Sequence, residues 1–194
     1  VDLLTKKRKL IYEDQRADID SCLVNPIDKK IQAVAIDYLE KEWVVFDESI
    51  KEDIENLSKL NSGTIEIISR MADDSKWIVV YMQDDGPYKY YLYDRSTKEA
   101  KFLFFSNAKQ EDYVFAKMHP VTISTRDGLE LVSYLTLPRW LDKGAQVFNP
   151  IPLVLYVHGG PNSRDAKGYN STHQWLANRG YAVLSVNYRG STGF

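Results

Sequence analysis

Thr64-Ile-Glu-Ile-Ile-Ser-Arg70, Lys76-Trp-Ile-Val-Val-Tyr-Met-Gln83, Tyr88-Lys-Tyr-Tyr-Leu-Tyr-Asp94 and Glu99-Ala-Lys-Phe-Leu-Phe-Phe105 follow one another, separated by short segments containing Asp73-Asp74-Ser75, Asp84-Asp85-Gly86-Pro87 and Arg95-Ser-Thr-Lys98. Short β-branched and aromatic runs punctuated by Asx and Gly/Pro turns predict antiparallel strands. Four such strands in immediate succession match one blade of a β-propeller. Upstream, Arg8 to Glu13, Ile31 to Tyr38 and Glu42 to Asp47 read as a second, partial blade, and Trp43 and Trp77 open the same Trp-x-Val core in each. Between the blades Ser49 and Glu52 form an S-x-x-E capping pattern. Ile50, Ile54, Leu57 and Leu60 then recur at helical spacing until Asn61-Ser-Gly63, which predicts a surface helix.

The texture changes near His119. Val121 to Pro138 predicts a hairpin turning at Asp127-Gly128. A strand over 151–157, a helix from about Gly168 to Arg179 with Gly180 at its end, and a strand over 181–186 then alternate as β and α. Both strands are continuously apolar, which predicts a sheet covered on both faces. The expected division is 1–118 for the blades and 119–194 for the α/β part.

Of the 194 residues, 44% are hydrophobic and 27% charged, which is ordinary globular usage and excludes a disordered or collagen-like chain. The formal net charge of -2, with Lys and Arg interleaved among Asp and Glu, offers no basic field for nucleic acid. No apolar run is long enough to span a membrane. A single cysteine, Cys22, permits no internal disulfide and no cysteine cluster for a metal, so no metal site and no cofactor are expected. The cysteine usage points to a cytoplasmic setting.

The chemistry sits in two stretches. Strand 151–157 runs into His158-Gly159-Gly160-Pro161, and strand 181–186 into Asn187-Tyr-Arg-Gly-Ser-Thr-Gly-Phe194. A buried strand feeding a Gly-Gly turn lets backbone N–H groups approach a carbonyl oxygen, which is one side of an oxyanion hole. No Gly-x-Ser-x-Gly occurs in the sequence. Gly190-Ser191-Thr192-Gly193 lacks the spacing of the strained nucleophile elbow, so Ser191 is not taken as a nucleophile. The chain therefore reads as a fragment. His173 reads as a structural helical histidine and His119 as linker.

Taken in order, the blade strands ending in Tyr88 to Phe105, the Val121 to Pro138 segment with Arg126-Asp127-Gly128, the His158-Gly-Gly-Pro161 turn and Asn187-Tyr-Arg-Gly-Ser-Thr-Gly193 resemble the prolyl oligopeptidase family of serine peptidases, in its acylaminoacyl-peptidase and dipeptidyl-peptidase-like branch. The resemblance implies a mixed fold, with the last blades of a β-propeller followed by the N-terminal part of an α/β-hydrolase domain. It implies hydrolysis of short peptides through an acyl-enzyme. By that resemblance Gly160, or else Gly159, gives an oxyanion donor, while His158, Pro161 and Arg189 shape the site. The nucleophile, its acid partner and the catalytic histidine would lie beyond Phe194, because the triad runs Ser, Asp or Glu, then His in chain order. Expected partners are short peptide substrates and the remainder of the propeller and hydrolase domain. A chain without the triad is expected to be inactive alone. The alternatives are a carboxylesterase, against which Pro161 and the β-rich first half argue, and a non-catalytic peptide-binding module.

Overall fold

The computed structural model describes residues 4–160 and 162–194, so Pro161 lies outside the described residues. Three sheets organise the chain. The first joins β1 (Ile19–Val24), β2 (Ile31–Asp37) and β3 (Lys41–Val45) in antiparallel order. Helix α1 (Glu48–Leu60) leads to the second, an antiparallel meander of β4 (Thr64–Arg70), β5 (Lys76–Met82), β6 (Lys89–Asp94) and β7 (Glu99–Phe105). The third contains β8 (Met118–Ser124), β9 (Glu130–Thr136), β10 (Leu153–Tyr156) and β11 (Ala182–Val186) in the order β10-β11-β9-β8. Strands β10 and β11 are parallel and are bridged by α2 (Ser171–Ala177); the other pairs are antiparallel.

The four-stranded meander follows the strands expected from sequence, but the first sheet does not. Arg8 to Glu13 forms no strand, and Leu10 and Ile11 are exposed. The partner of β2 is instead Ile19–Val24. Its turn decides this: Asn25 Oδ1 accepts the Ile27 and Asp28 N–H groups, and Asn25 N–H reaches Lys30 O at 2.8 Å. An Asx turn leading straight into β2 closes a local hairpin at little entropic cost, and that outweighs the apolar run Leu10-Ile11-Tyr12 upstream.

Helix α1 is capped by Asp47, not by the expected Ser49: the Asp47 carboxylate accepts the Ser49 N–H at 2.9 Å. A carboxylate at the N-cap both satisfies an orphan N–H and complements the helix dipole, which a hydroxyl two residues on cannot do. Ile50, Ile54 and Leu57 bury one face of α1 in a core shared with Leu23, Ala33, Trp77, Val79, Tyr81 and Tyr93, at about 2 kcal/mol for each aliphatic side chain. Leu60, the fourth residue of the stripe, is exposed.

A polar network runs through this core. Asp53, fully buried, accepts from Tyr93 Oη (2.9 Å), Arg95 Nε (2.9 Å) and Lys98 Nζ (2.5 Å). Arg95 also reaches Asp74 Oδ2 at 2.6 Å, and Asp74 takes Arg70 and the indole N–H of Trp77. The guanidinium carbons of Arg70 and Arg95 lie 4.9 and 5.0 Å from the Trp77 ring centroid, so the indole is held by two cations.

The third sheet is docked against the first. Tyr134 is fully buried, and its hydroxyl donates to the Tyr38 and Leu39 carbonyls in the β2–β3 turn. Gln174 on α2 accepts the Ala116 N–H and donates to the Ala116 carbonyl, both at 2.8 Å. The expectation of a sheet covered on both faces fails at β10, where Leu153, Leu155 and Val157 are 56%, 59% and 50% exposed. Strand β10 is the sheet edge, α2 packs on the opposite face beside Tyr156, and nothing among the described residues covers the other side. Helix α2 is shorter than expected because Asn170 caps it, accepting from Thr172 and His173. It also ends earlier than expected, at Ala177 with Asn178 as its cap, and Gly180 (φ +90°) closes the turn beyond it, where Tyr181 N–H meets Leu176 O and Gly180 N–H meets Ala177 O.

Candidate active site

Parallel strands connected through a helix leave their carboxyl ends on the same side of the sheet, the side on which open α/β sheets bind ligands. The loops that follow β10 and β11 therefore meet, and they are the two stretches singled out by sequence. His158 stacks on Tyr188, with ring centroids 4.5 Å apart and planes 21° from parallel. The Tyr188 hydroxyl donates to the His158 carbonyl at 3.3 Å, and Thr192 N–H donates to Ser163 O at 2.9 Å. Asp165 and the buried Asn187 exchange two bonds, Asp165 N–H to Asn187 Oδ1 at 2.8 Å and Asn187 Nδ2 to Asp165 O at 3.0 Å.

Gly160 has φ +140°, and a Cβ there would stand 2.7 Å from Asn162 N, so the turn requires glycine. Gly159 carries no such constraint, with nothing within 4 Å of a Cβ. Among the described residues neither the Gly159 nor the Gly160 N–H donates to a protein acceptor.

His158 is more tightly held than a turn-shaping role requires. Its Nδ1 lies 2.9 Å from Gly159 O and its Nε2 2.8 Å from Ser191 Oγ. A carbonyl can only accept, so Nδ1 carries the proton, and in the neutral ring the Ser191 hydroxyl donates to Nε2. The carboxyl of Asp165 is pushed above the usual range by burial, an effect the nearby His158 opposes, and its Oδ2 has no hydrogen-bond partner among the described residues. Arg189 turns away from these loops and pairs with Asp127 of the β8–β9 hairpin at 2.8 and 2.7 Å. Both side chains are more than half exposed, so the pair anchors the loop weakly.

Arg164 ties this region to the first sheet. Its guanidinium donates to Asp37 O at 2.7 Å and Tyr38 O at 3.3 Å, and lies 4.4 Å from the Phe194 ring centroid. Sequence reasoning overlooked Arg164 and Asp165, and it quoted Asn187 without giving it a role. A polar residue directly after an apolar strand, as Asn187 is after Val186, was the available signal. His119 pairs with Asp142 at 2.6 Å, and His173 is buried between Thr136 and Ser185 hydroxyls at 2.9 and 2.8 Å; neither reaches the turn loops in these contacts.

Over its whole length the chain is 48% identical to dipeptidyl aminopeptidase BIII of Pseudoxanthomonas mexicana, of which it spans 28%. The chain belongs to the prolyl oligopeptidase family. A second member, dipeptidyl peptidase family member 6 of Caenorhabditis elegans, is 35% identical over 97% of the chain and 28% of its own length. Among solved structures of the family, Porphyromonas gingivalis dipeptidyl peptidase 4 superposes with a TM-score of 0.61 at 18% identity, over 93% of this chain and 26% of that one. Pyrococcus horikoshii acylaminoacyl peptidase gives 0.59 at 18% identity, over 92% and 26%. At such identities the likeness is one of fold: mostly antiparallel sheets with few helices, similar to the propeller parts of family peptidases. No family profile matches the chain. The chain spans little more than a quarter of the curated relatives that match its full length.

Proposed function

We propose that this chain is part of a serine peptidase that hydrolyses short peptides through an acyl-enzyme. Residues 1–118 supply the last propeller blades, and residues 119–194 open an α/β-hydrolase domain. The observation that carries the reading is the His158-Gly159-Gly160 turn at the carboxyl end of β10, beside the loop that ends the parallel strand β11, with the two glycine amides uncommitted. The Gly160 amide, or else that of Gly159, supplies one side of an oxyanion hole for the tetrahedral intermediate. The nucleophile, base and orienting acid come from elsewhere in the polypeptide, and without them acyl transfer does not run. The chain alone is inactive on this reading, and its partners are the remaining propeller and hydrolase residues and the peptide substrate.

The test uses the full-length polypeptide. It is treated with a fluorophosphonate that labels activated serines, and turnover of peptide anilides is compared with that of simple aryl esters. One adduct outside residues 1–194 together with efficient anilide cleavage supports the reading. No adduct, or a strong preference for aryl esters, refutes it.

A further inference from the structure

Sequence rejects Ser191 as a nucleophile, yet the structure gives its hydroxyl a specific partner in the turn, and this calls for a different role. We propose that Ser191 is a positioning residue for the oxyanion donor: its hydroxyl donates to His158 Nε2, keeps the ring proton on Nδ1, and thereby aims the Gly160 N–H. The inference rests on the peptidase reading of the same turn. Its physical basis is the geometry of a single peptide unit. The Gly159 carbonyl and the Gly160 N–H belong to one planar trans peptide, so they point in opposite directions. Holding the carbonyl by the His158 Nδ1–H at 2.9 Å sets the direction of the amide.

Nδ1 can hold the carbonyl only in the tautomer that leaves Nε2 bare, and that tautomer is favoured by a donor facing Nε2. Ser191 is that donor at 2.8 Å. The ring itself is clamped face to face on Tyr188, and the loop carrying Ser191 is fastened by its own N–H to Tyr188 O at 2.9 Å. Gly160, at φ +140°, is the residue whose orientation the arrangement fixes. A dyad for proton abstraction would instead face Nδ1 with a carboxylate, and here Nδ1 faces a carbonyl.

Ser191→Ala and Ser191→Thr are made in the full-length polypeptide. Peptide anilide turnover is measured, together with the affinity of a peptide aldehyde whose adduct mimics the tetrahedral intermediate and the 15N shifts of the His158 ring. Ser191→Ala is expected to lower kcat and aldehyde affinity by the same factor, roughly tenfold, the scale of one hydrogen bond, with KM little changed. Its His158 signals should move away from the pure Nδ1–H form, and Ser191→Thr, which keeps the hydroxyl, should restore both. An unchanged kcat and aldehyde affinity in Ser191→Ala overturns the proposal, as does a threonine variant no better than alanine. A fluorophosphonate adduct on Ser191 overturns it by making the residue a nucleophile. A wild-type polypeptide with neither turnover nor adduct removes the peptidase reading and this inference together, a result distinguishable because it needs no variant.

Discussion

Placing the same substitution at adjacent positions separates the roles of the two turn glycines. At Gly160 alanine meets two obstacles, a φ of +140° that L-residues avoid and a Cβ 2.7 Å from Asn162 N. The backbone strain alone is worth about 1–3 kcal/mol, and the contact with a backbone atom is relieved only if the peptide rotates. Rotation carries the Gly160 N–H off its line, and losing one oxyanion donor costs roughly 10²–10³ in kcat. At Gly159 the Cβ meets nothing within 4 Å, so Gly159→Ala should leave kcat within about twofold. Both variants are made in the full-length polypeptide and assayed on a peptide anilide, with thermal unfolding as a control for folding. Equal losses in the two variants, or an intact rate in a folded Gly160→Ala, would refute the reasoning that Gly160 is the donor.

Two further predictions concern stability. Asp53→Ala removes a fully buried carboxylate from Tyr93, Arg95 and Lys98, but Arg95 keeps Asp74 and Lys98 is partly exposed. The expected loss in urea unfolding is therefore about 3 kcal/mol, the lower end for breaking a buried pair, and a loss below about 1 kcal/mol would show that the network contributes little. Burial pushes His173 down to about 4 from its usual 6.5. The unfolded chain takes up a proton in that interval and the folded chain does not, so this contribution is complete above pH 6.5 and is lost as pH falls towards 4. It amounts to about 3 kcal/mol. Urea unfolding of wild type and His173→Gln at pH 7 and pH 4.5 should show a steeper acid loss in the wild type, and parallel losses would count against a neutral, buried His173.

The four-stranded meander was readable because its turns are short and its strands are β-branched and aromatic runs, as in Lys76 to Met82. The first sheet was misjudged at Arg8 to Glu13, where the apolar run Leu10-Ile11-Tyr12 lost to the Asn25 turn, a local hydrogen-bond advantage that hydropathy does not register. The apolar runs at 153–156 and 182–186 were readable as strands, but not their different exposure: β11 lies inside the sheet and β10 at its edge, a distinction set by strand order. At the site, Gly159 and Gly160 stood out through the strand-to-glycine junction. The partners of His158 did not, because Ser191 and Tyr188 lie about thirty residues away in sequence and are brought close only by the parallel pairing of β10 with β11.

The double grip of Arg95 has a consequence for how the blade comes apart. One guanidinium bonds to Asp53 on α1 and to Asp74 at the β4–β5 turn, and it also covers Trp77 on β5. Fraying α1 from its end therefore strips a partner from the hairpin, and opening the hairpin strips one from the helix. Amide protons in α1 and in β5 should accordingly exchange with solvent through a common opening event, with matching protection.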